Sequence, residues 1–185
     1  MFLELPSMAE KREAPIVFFA PFVSSAMRVE PQWIDYNNHL NVAYYSLLFD
    51  RAVDECYALL GIGEDYVRSR QASLFTAEAH IGYRRELSLG DKVRMTLQLL
   101  DFDEKRLHYF MEMRHAQDGW LAATSEHMSL HVDMTQRRVA AFPEDVLATL
   151  GLMKAAHSRL AFPEGAGRRI AMPEQQAETA SQRRH

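Results

Sequence analysis

The apolar positions of the chain fall into two rhythms, and the switch between them predicts the architecture. Val42, Tyr45, Leu48, Phe49, Ala52, Val53, Cys56, Leu59 and Leu60 recur at steps of three, one and three, which is one face of an α-helix. Asp50, Arg51, Asp54 and Glu55 fall mostly between them, with Arg51 placed to meet Glu55 one turn on. The Asn41 side-chain oxygen can cap the start, and Gly61 and Gly63 end the run. From Ala72 the period becomes two. Phe75, Ala77, Ala79, Ile81 and Tyr83 alternate with Thr76, Glu78, His80, Gly82 and Arg84, which reads as a half-buried strand. Val93, Met95, Leu97 and Leu99 make the next strand, and Leu107, Tyr109, Met111 and Met113 the one after. In the last, Ala122, Thr124, Glu126, Met128, Leu130 and Val132 alternate with Leu121, Ala123, Ser125, His127, Ser129 and His131. Turns fall at 89–91, 101–104 and Asp118-Gly119, the last a strong hairpin signal. Four strands so joined form an antiparallel meander. The economical solution is an α+β domain in which the sheet curls around the one long helix. Its other face, carrying Glu78, His80, His108, Glu112 and Arg114, is left for solvent or a partner subunit.

The flanks are simpler. Residues 1–15 read as a flexible arm. Residues 16–19 and 22–29 suit an edge strand interrupted by Pro21. Residues 64–70 read as a polar connection. Residues 144–160 form a second helix with Val146, Leu147, Leu150, Met153 and Leu160 on one side. The domain is expected over 16–150. The rest of that helix and a surface extension, disordered at its end, occupy 151–185.

Composition removes several function classes. A net charge of −4 with scattered arginine pairs offers nucleic acid no basic stripe. The single Cys56, on the helix's apolar face, excludes an internal disulfide framework and reads as a packed thiol in a reducing compartment. The apolar stretch 16–23 is too short to span a bilayer and has no basic leader, so the expected location is the cytoplasm. His127 and His131 stand four apart, but on a strand that separation is ~13 Å, too far to share one ion. No metal is expected. The chain has no Gly-x-Ser-x-Gly elbow, no Gly-x-Gly-x-x-Gly and no phosphate loop.

What remains is the loop before the long helix. Asp35, Asn37, Asn38, His39 and Asn41 crowd into seven residues, with Tyr36 among them and Trp33 just before. A helix start carries free N–H groups and about half a positive charge, which suits an anion or a developing oxyanion. A carboxylate beside it can act as base or nucleophile. The plainer alternative is a polar turn whose Asp and Asn only cap.

Asp35-Tyr-Asn-Asn-His39-Leu-Asn41-Val-Ala-Tyr44-Tyr45 resembles the signature of the 4-hydroxybenzoyl-CoA thioesterase-like acyl-CoA thioesterases, which have the hotdog fold. Tyr83-Arg84-Arg85-Glu86-Leu87 and Leu89-Gly90-Asp91-Lys92-Val93 resemble that family's usual strand end and strand start. The resemblance covers roughly residues 24–148. Asn38 stands where the family commonly has Gly, and Val42 where some members have Tyr; Asn tolerates the left-handed backbone that Gly would permit.

The resemblance implies a homodimer or dimer of dimers whose sheets join edge to edge, with active sites at the subunit boundary. The thioester carbonyl would be polarised by backbone N–H groups near Asn41 and Val42. Asp35 would act as nucleophile or general base, while His39 and Asn41 shape the loop and orient water. No cofactor is implied, because coenzyme A is part of the substrate. Arg84, Arg85, Lys105 and Arg106 are the candidates for its phosphates. Phe75-Thr76-x-Glu78-x-His80-Ile81 and Gly167-Arg168-Arg169-Ile170-Ala171-Met172 look like the thioesterases linked to carnitine breakdown. That makes betainyl-CoA the candidate substrate, its quaternary ammonium held by Trp33, Tyr36, Tyr44 and Glu78. The rival readings are a hotdog enoyl-CoA hydratase and a non-catalytic acyl-CoA sensor.

Overall fold

A computed structural model describes residues 18–172 of the chain. The expected arm at 1–15, Ile16 and Val17 of the expected edge strand, and the tail beyond Met172 lie outside the described residues. The elements in order are β1 (Phe22–Val23), β2 (Met27–Arg28), a 3-10 turn (Pro31–Trp33), α1 (Val42–Leu59), α2 (Glu64–Arg70) and β3 (Ala72–Tyr83). They continue with β4 (Lys92–Phe102), β5 (Arg106–His115), β6 (Leu121–Asp133), β7 (Arg138–Val139) and α3 (Glu144–His157). All strands join one antiparallel sheet in the order β1-β4-β5-β6-β3, with β2 also on β4 and β7 on β6. This is the α+β hotdog arrangement, a sheet wrapped on a helix. None of the described helices is long and apolar enough to cross a membrane.

The helix forms where its period placed it. Tyr45, Leu48, Phe49, Ala52, Val53 and Cys56 are buried against Val93, Met95, Leu97, Leu99, Leu107, Tyr109, Met111 and Met113. Asn41 Oδ1 caps it by accepting from the Ala43 N–H at 3.0 Å. Gly61, at φ 74°, ends it in the left-handed conformation that helix termini favour. Val42 and Leu59 at the two ends are exposed, because the sheet covers only the middle. Burial pushes the Cys56 thiol up to about 12, so it is a packed, inert group.

Four expectations change. Arg51 does not meet Glu55. Its guanidinium lies 4.0 Å from Glu30 and over the Trp33 ring, while Glu55 accepts from the Ser25 N–H at 2.7 Å. Residues 64–70 are a helix, not a connection. Glu64 and Asp65 open it and Arg68 and Arg70 close it, matching the helix dipole, with Arg68 paired back to Glu64 at 2.9 Å. The edge strand is two short pieces, bridged where the Ser24 N–H donates to the Met95 carbonyl at 2.9 Å and Ser24 Oγ accepts from the Met95 N–H at 3.0 Å. In β3 a bulge at Ala77 resets the alternation, so Phe75 faces outward and Ala79, Ile81 and Tyr83 inward.

For β6 the sequence left the inward face open. Register with β5 sets His127 opposite Tyr109 and Ser125 opposite Met111, so the helix-facing side carries Ala123, Ser125, His127, Ser129 and His131. The set with Met128 and Leu130 faces outward. The inner polar groups are mostly paired. Tyr109 Oη lies 3.3 Å from Ser129 Oγ, Ser125 Oγ lies 2.6 Å from His127 Nε2, and His131 Nε2 bonds Tyr66 Oη at 2.8 Å. His127 stacks on Tyr109 with centroids 4.9 Å apart. Its Nδ1 is buried with no partner among the described residues.

α3 runs without a break through residue 150, and its Met153 and His157 are part of the buried interior. His157 Nδ1 accepts from the Leu99 N–H at 2.8 Å, leaving Nε2 to donate to the Phe19 carbonyl at 3.1 Å. One imidazole thus ties α3, β4 and the chain before β1 together.

Burial lowers the His127 pKa to about 4. The unfolded chain, with an ordinary imidazole near 6.5, takes up this proton first as pH falls. The stability that neutral His127 confers is therefore complete above about pH 6.5 and lost progressively down to about pH 4. Urea unfolding should show roughly 2–3 kcal/mol less stability at pH 4.5 than at pH 7.5 from this group. His127→Phe, which keeps the stacking, should remove that part of the slope; an unchanged pH dependence would contradict the assignment.

Candidate active site

The loop before α1 folds on itself. Ile34 and Leu40 form an isolated antiparallel bridge, the Asp35 N–H donates to the His39 carbonyl at 2.9 Å, and the Asn38 N–H to the Asp35 carbonyl at 3.0 Å. Asn38, at φ 63°, supplies the left-handed residue this turn needs. Two further bonds clamp the loop to its surroundings: the Leu40 N–H donates to the Leu87 carbonyl at 2.7 Å and the Asn41 N–H to the Trp33 carbonyl at 2.9 Å. Trp33 is buried, with Tyr44 stacked at 5.6 Å and the Arg51 guanidinium 5.1 Å from the ring centroid.

This geometry fixes the Asp35 carboxylate. Its Oδ1 accepts from the Asn37 N–H at 2.8 Å and, more weakly, from the His39 N–H at 3.4 Å. No hydrogen bond among the described residues engages Oδ2. The helix start is allotted just as unevenly. The Asn41 N–H is taken by Trp33 and the Ala43 N–H by the Asn41 side chain, so the expected pair of donors reduces to one, the Val42 N–H. Asp35 and Val42 line the same open cavity of about 380 Å³. A carbonyl oxygen can accept from Val42 there while Asp35 Oδ2 attacks or holds a water, with the helix dipole favouring the charge that develops.

Tyr45, Tyr83 and Glu86 line that cavity too, and the sequence reading did not assign them. The two tyrosines meet edge to face, 5.1 Å apart at 83°. Their signal was there in part: Tyr45 is one turn beyond Asn41, and Tyr83 and Glu86 belong to the strand-end motif.

Other expected site residues disperse. Tyr36 is 93% exposed and Trp33 is buried. Glu78 sits on the outer face of β3, away from α1, so within one chain Trp33, Tyr36, Tyr44 and Glu78 form no common pocket. His39 serves Asp35 through its backbone N–H and carbonyl. Arg84 and Arg85 line the Asp35 cavity, with Arg85 also over the Trp120 ring at 4.2 Å. Lys105 and Arg106 lie at the opposite end of the sheet, paired with Glu104 and Asp103. Among the described residues no cluster of three or more His, Cys, Asp or Glu is placed to hold a metal ion.

Residues 29–150 match the profile of the thioesterase-like superfamily. The chain belongs to that superfamily. It is a hotdog-fold thioesterase. The betainyl-CoA thioesterase of Pseudomonas aeruginosa is 39% identical over 145 residues, covering 78% of this chain and 91% of that protein. The L-carnitine dehydrogenase/betainyl-CoA thioesterase of Rhizobium meliloti is 37% identical over 143 residues. That match takes in 77% of this thioesterase and only 29% of the longer protein. A Staphylococcus aureus protein solved in complex with CoA superposes with a TM-score of 0.78 at 32% identity, covering 86% of this chain and 100% of that one.

The loop geometry predicts opposite outcomes for two substitutions at Asn38. Asn38→Gly should leave stability and turnover near wild type. Asn38→Val, forced to positive φ, should cost ~1–2 kcal/mol. Denaturant midpoints of the two variants check this, and equal midpoints would contradict it.

Proposed function

We propose that this thioesterase hydrolyses CoA thioesters of small polar acids, betainyl-CoA foremost, to the free acid and CoA. The observation that carries the reading is that Asp35 and Val42, whose Oδ2 and N–H have no hydrogen-bond partner among the described residues, line one cavity at the start of α1. The thioester carbonyl accepts from Val42; one such donor contributes ~3–4 kcal/mol to lowering an acyl-transfer barrier. Asp35 Oδ2 then either attacks the carbonyl carbon, expelling CoA thiolate and leaving an anhydride for water to open, or takes the proton of an attacking water.

Betainyl-CoA is supported by the names of the two relatives and by the cavity wall. Tyr83, packed on the buried Tyr45, offers aromatic surface and Glu86 a negative charge, a setting that attracts a quaternary ammonium. Arg84 and Arg85 line the same cavity, with the Arg85 guanidinium also held over the Trp120 ring at 4.2 Å. A homodimer joined along β3 is part of the proposal. That twelve-residue strand ends the sheet, Phe75 on it is 61% exposed, and long bare edges invite pairing.

Asp35→Asn retains an Oδ1 to accept from Asn37, so the loop should stand while thioester turnover falls at least ~100-fold. Thiol release within a few-fold of wild type would reject the role, and CoA-ester binding without turnover by the wild type would favour a sensor. For acyl preference, betainyl-CoA should exceed its neutral isostere, tert-butylacetyl-CoA, by roughly tenfold or more in kcat/KM. Tyr83→Leu should narrow that ratio; a ratio the variant leaves untouched would remove Tyr83 from ammonium recognition.

A further inference from the structure

The chain after α3 returns across the outer face of the sheet. Gln98 Nε2 donates to the Ala161 carbonyl at 3.2 Å, and the Gly167 N–H donates to Glu126 Oε2 at 2.7 Å. The other Glu126 oxygen is 2.7 Å from His108 Nε2. Positive φ at Gly165 and Gly167, 97° and 72°, lets this arm turn close to the strands.

Between the arm and the sheet lies a cavity of about 290 Å³ whose lining includes Arg84, Arg168 and Arg169. The arginine ion pairs found among the described residues belong to Arg51, Arg68, Arg70, Arg106 and Arg114 instead. Glu126, the carboxylate lining the cavity, is already engaged by His108 and Gly167. Three guanidinium groups around one space, with their local carboxylate occupied, suit a phosphate-bearing ligand. The cavity also adjoins the Asp35 cleft, because Tyr83 and Arg84 line both.

We propose that this arm-covered cavity binds the phosphates of CoA while the thioester of the same molecule lies at Asp35, with the pantetheine passing the Tyr83–Arg84 strand end. The proposal rests on the thioesterase reading above. It gives the C-terminal arm a specific task, holding Arg168 and Arg169 over the nucleotide.

The test compares a CoA ester with the N-acetylcysteamine thioester of the same acid, which has no phosphate. In the double variant Arg168→Gln/Arg169→Gln, KM for the CoA ester should rise about tenfold or more with kcat little changed, and the short thioester should be unaffected. An unchanged KM for the CoA ester overturns the proposal, and so does an equal loss on both substrates, which would mark a structural arm. Calorimetric titration with CoA separates this from any failure of the thioesterase reading. Wild-type binding that weakens in the double variant supports the site even if no thioester is turned over; equal binding by both, or none by wild type, overturns it. Inorganic phosphate is the remaining arm, and binding as tight as that of CoA would make this a free-phosphate site and overturn the assignment.

Discussion

A helix begins with N–H groups that have no acceptor within it, and the loop before α1 distributes them unequally. The Asn41 N–H is spent on Trp33 and the Ala43 N–H on the Asn41 carboxamide, which leaves Val42 open to the cavity. Trp33 can serve as that anchor because it is buried between Tyr44 and Arg51. The same loop bonds tie Leu40 to Leu87 and hold Asp35 at the cavity with one oxygen fixed. The geometry of donor and carboxylate therefore depends on packing several residues away.

The sheet that holds this loop in place is not uniformly apolar inside. β4 and β5 give α1 a hydrocarbon wall of Val93, Met95, Leu97, Met111 and Met113, whereas β6 gives it Ser125, His127 and Ser129. Burying those groups is tolerable because most are paired. Towards β3 the inner face opens, with Thr76 and Ala79 exposed beyond the reach of α1. One helix is too narrow for the whole concave face, so a second copy joined at β3 would bring its own helix to the uncovered part.

Local chemistry was legible in the sequence and parity often was not. The α1 period, the Asn41 cap and the left-handed Asn38 each depend on residues within one turn of one another, and each is where the pattern put it. β6 offered two half-polar faces of similar composition, and only its register with Tyr109 and Met111 decides between them. β3 read cleanly until Ala77, where an inserted residue reverses the sides. α2 contributes a single buried residue, Tyr66, and one apolar position has no period. The four basic candidates for CoA looked equivalent beside their turns. Topology then put Arg84 and Arg85 at one end of the sheet and Lys105 and Arg106 at the other.

Strand parity also bears on how one substrate could meet two opposite electrostatic needs. Betainyl-CoA has a cationic acyl end and a polyanionic nucleotide end, and a single pocket that favoured one would repel the other. Successive side chains on a strand point to opposite faces. At the end of β3, Tyr83 turns towards Tyr45 and the Asp35 cleft, and the next residue, Arg84, reaches Gly165 of the arm. Tyr83 and Arg84 line both spaces, so one peptide step joins aromatic surface to a guanidinium at the point where the Asp35 cleft, with Asp35 and Glu86, meets the cavity that adds Arg168 and Arg169. That junction needs no flexible domain or added element, only the end of β3 and an arm long enough to cover the outer side of the sheet.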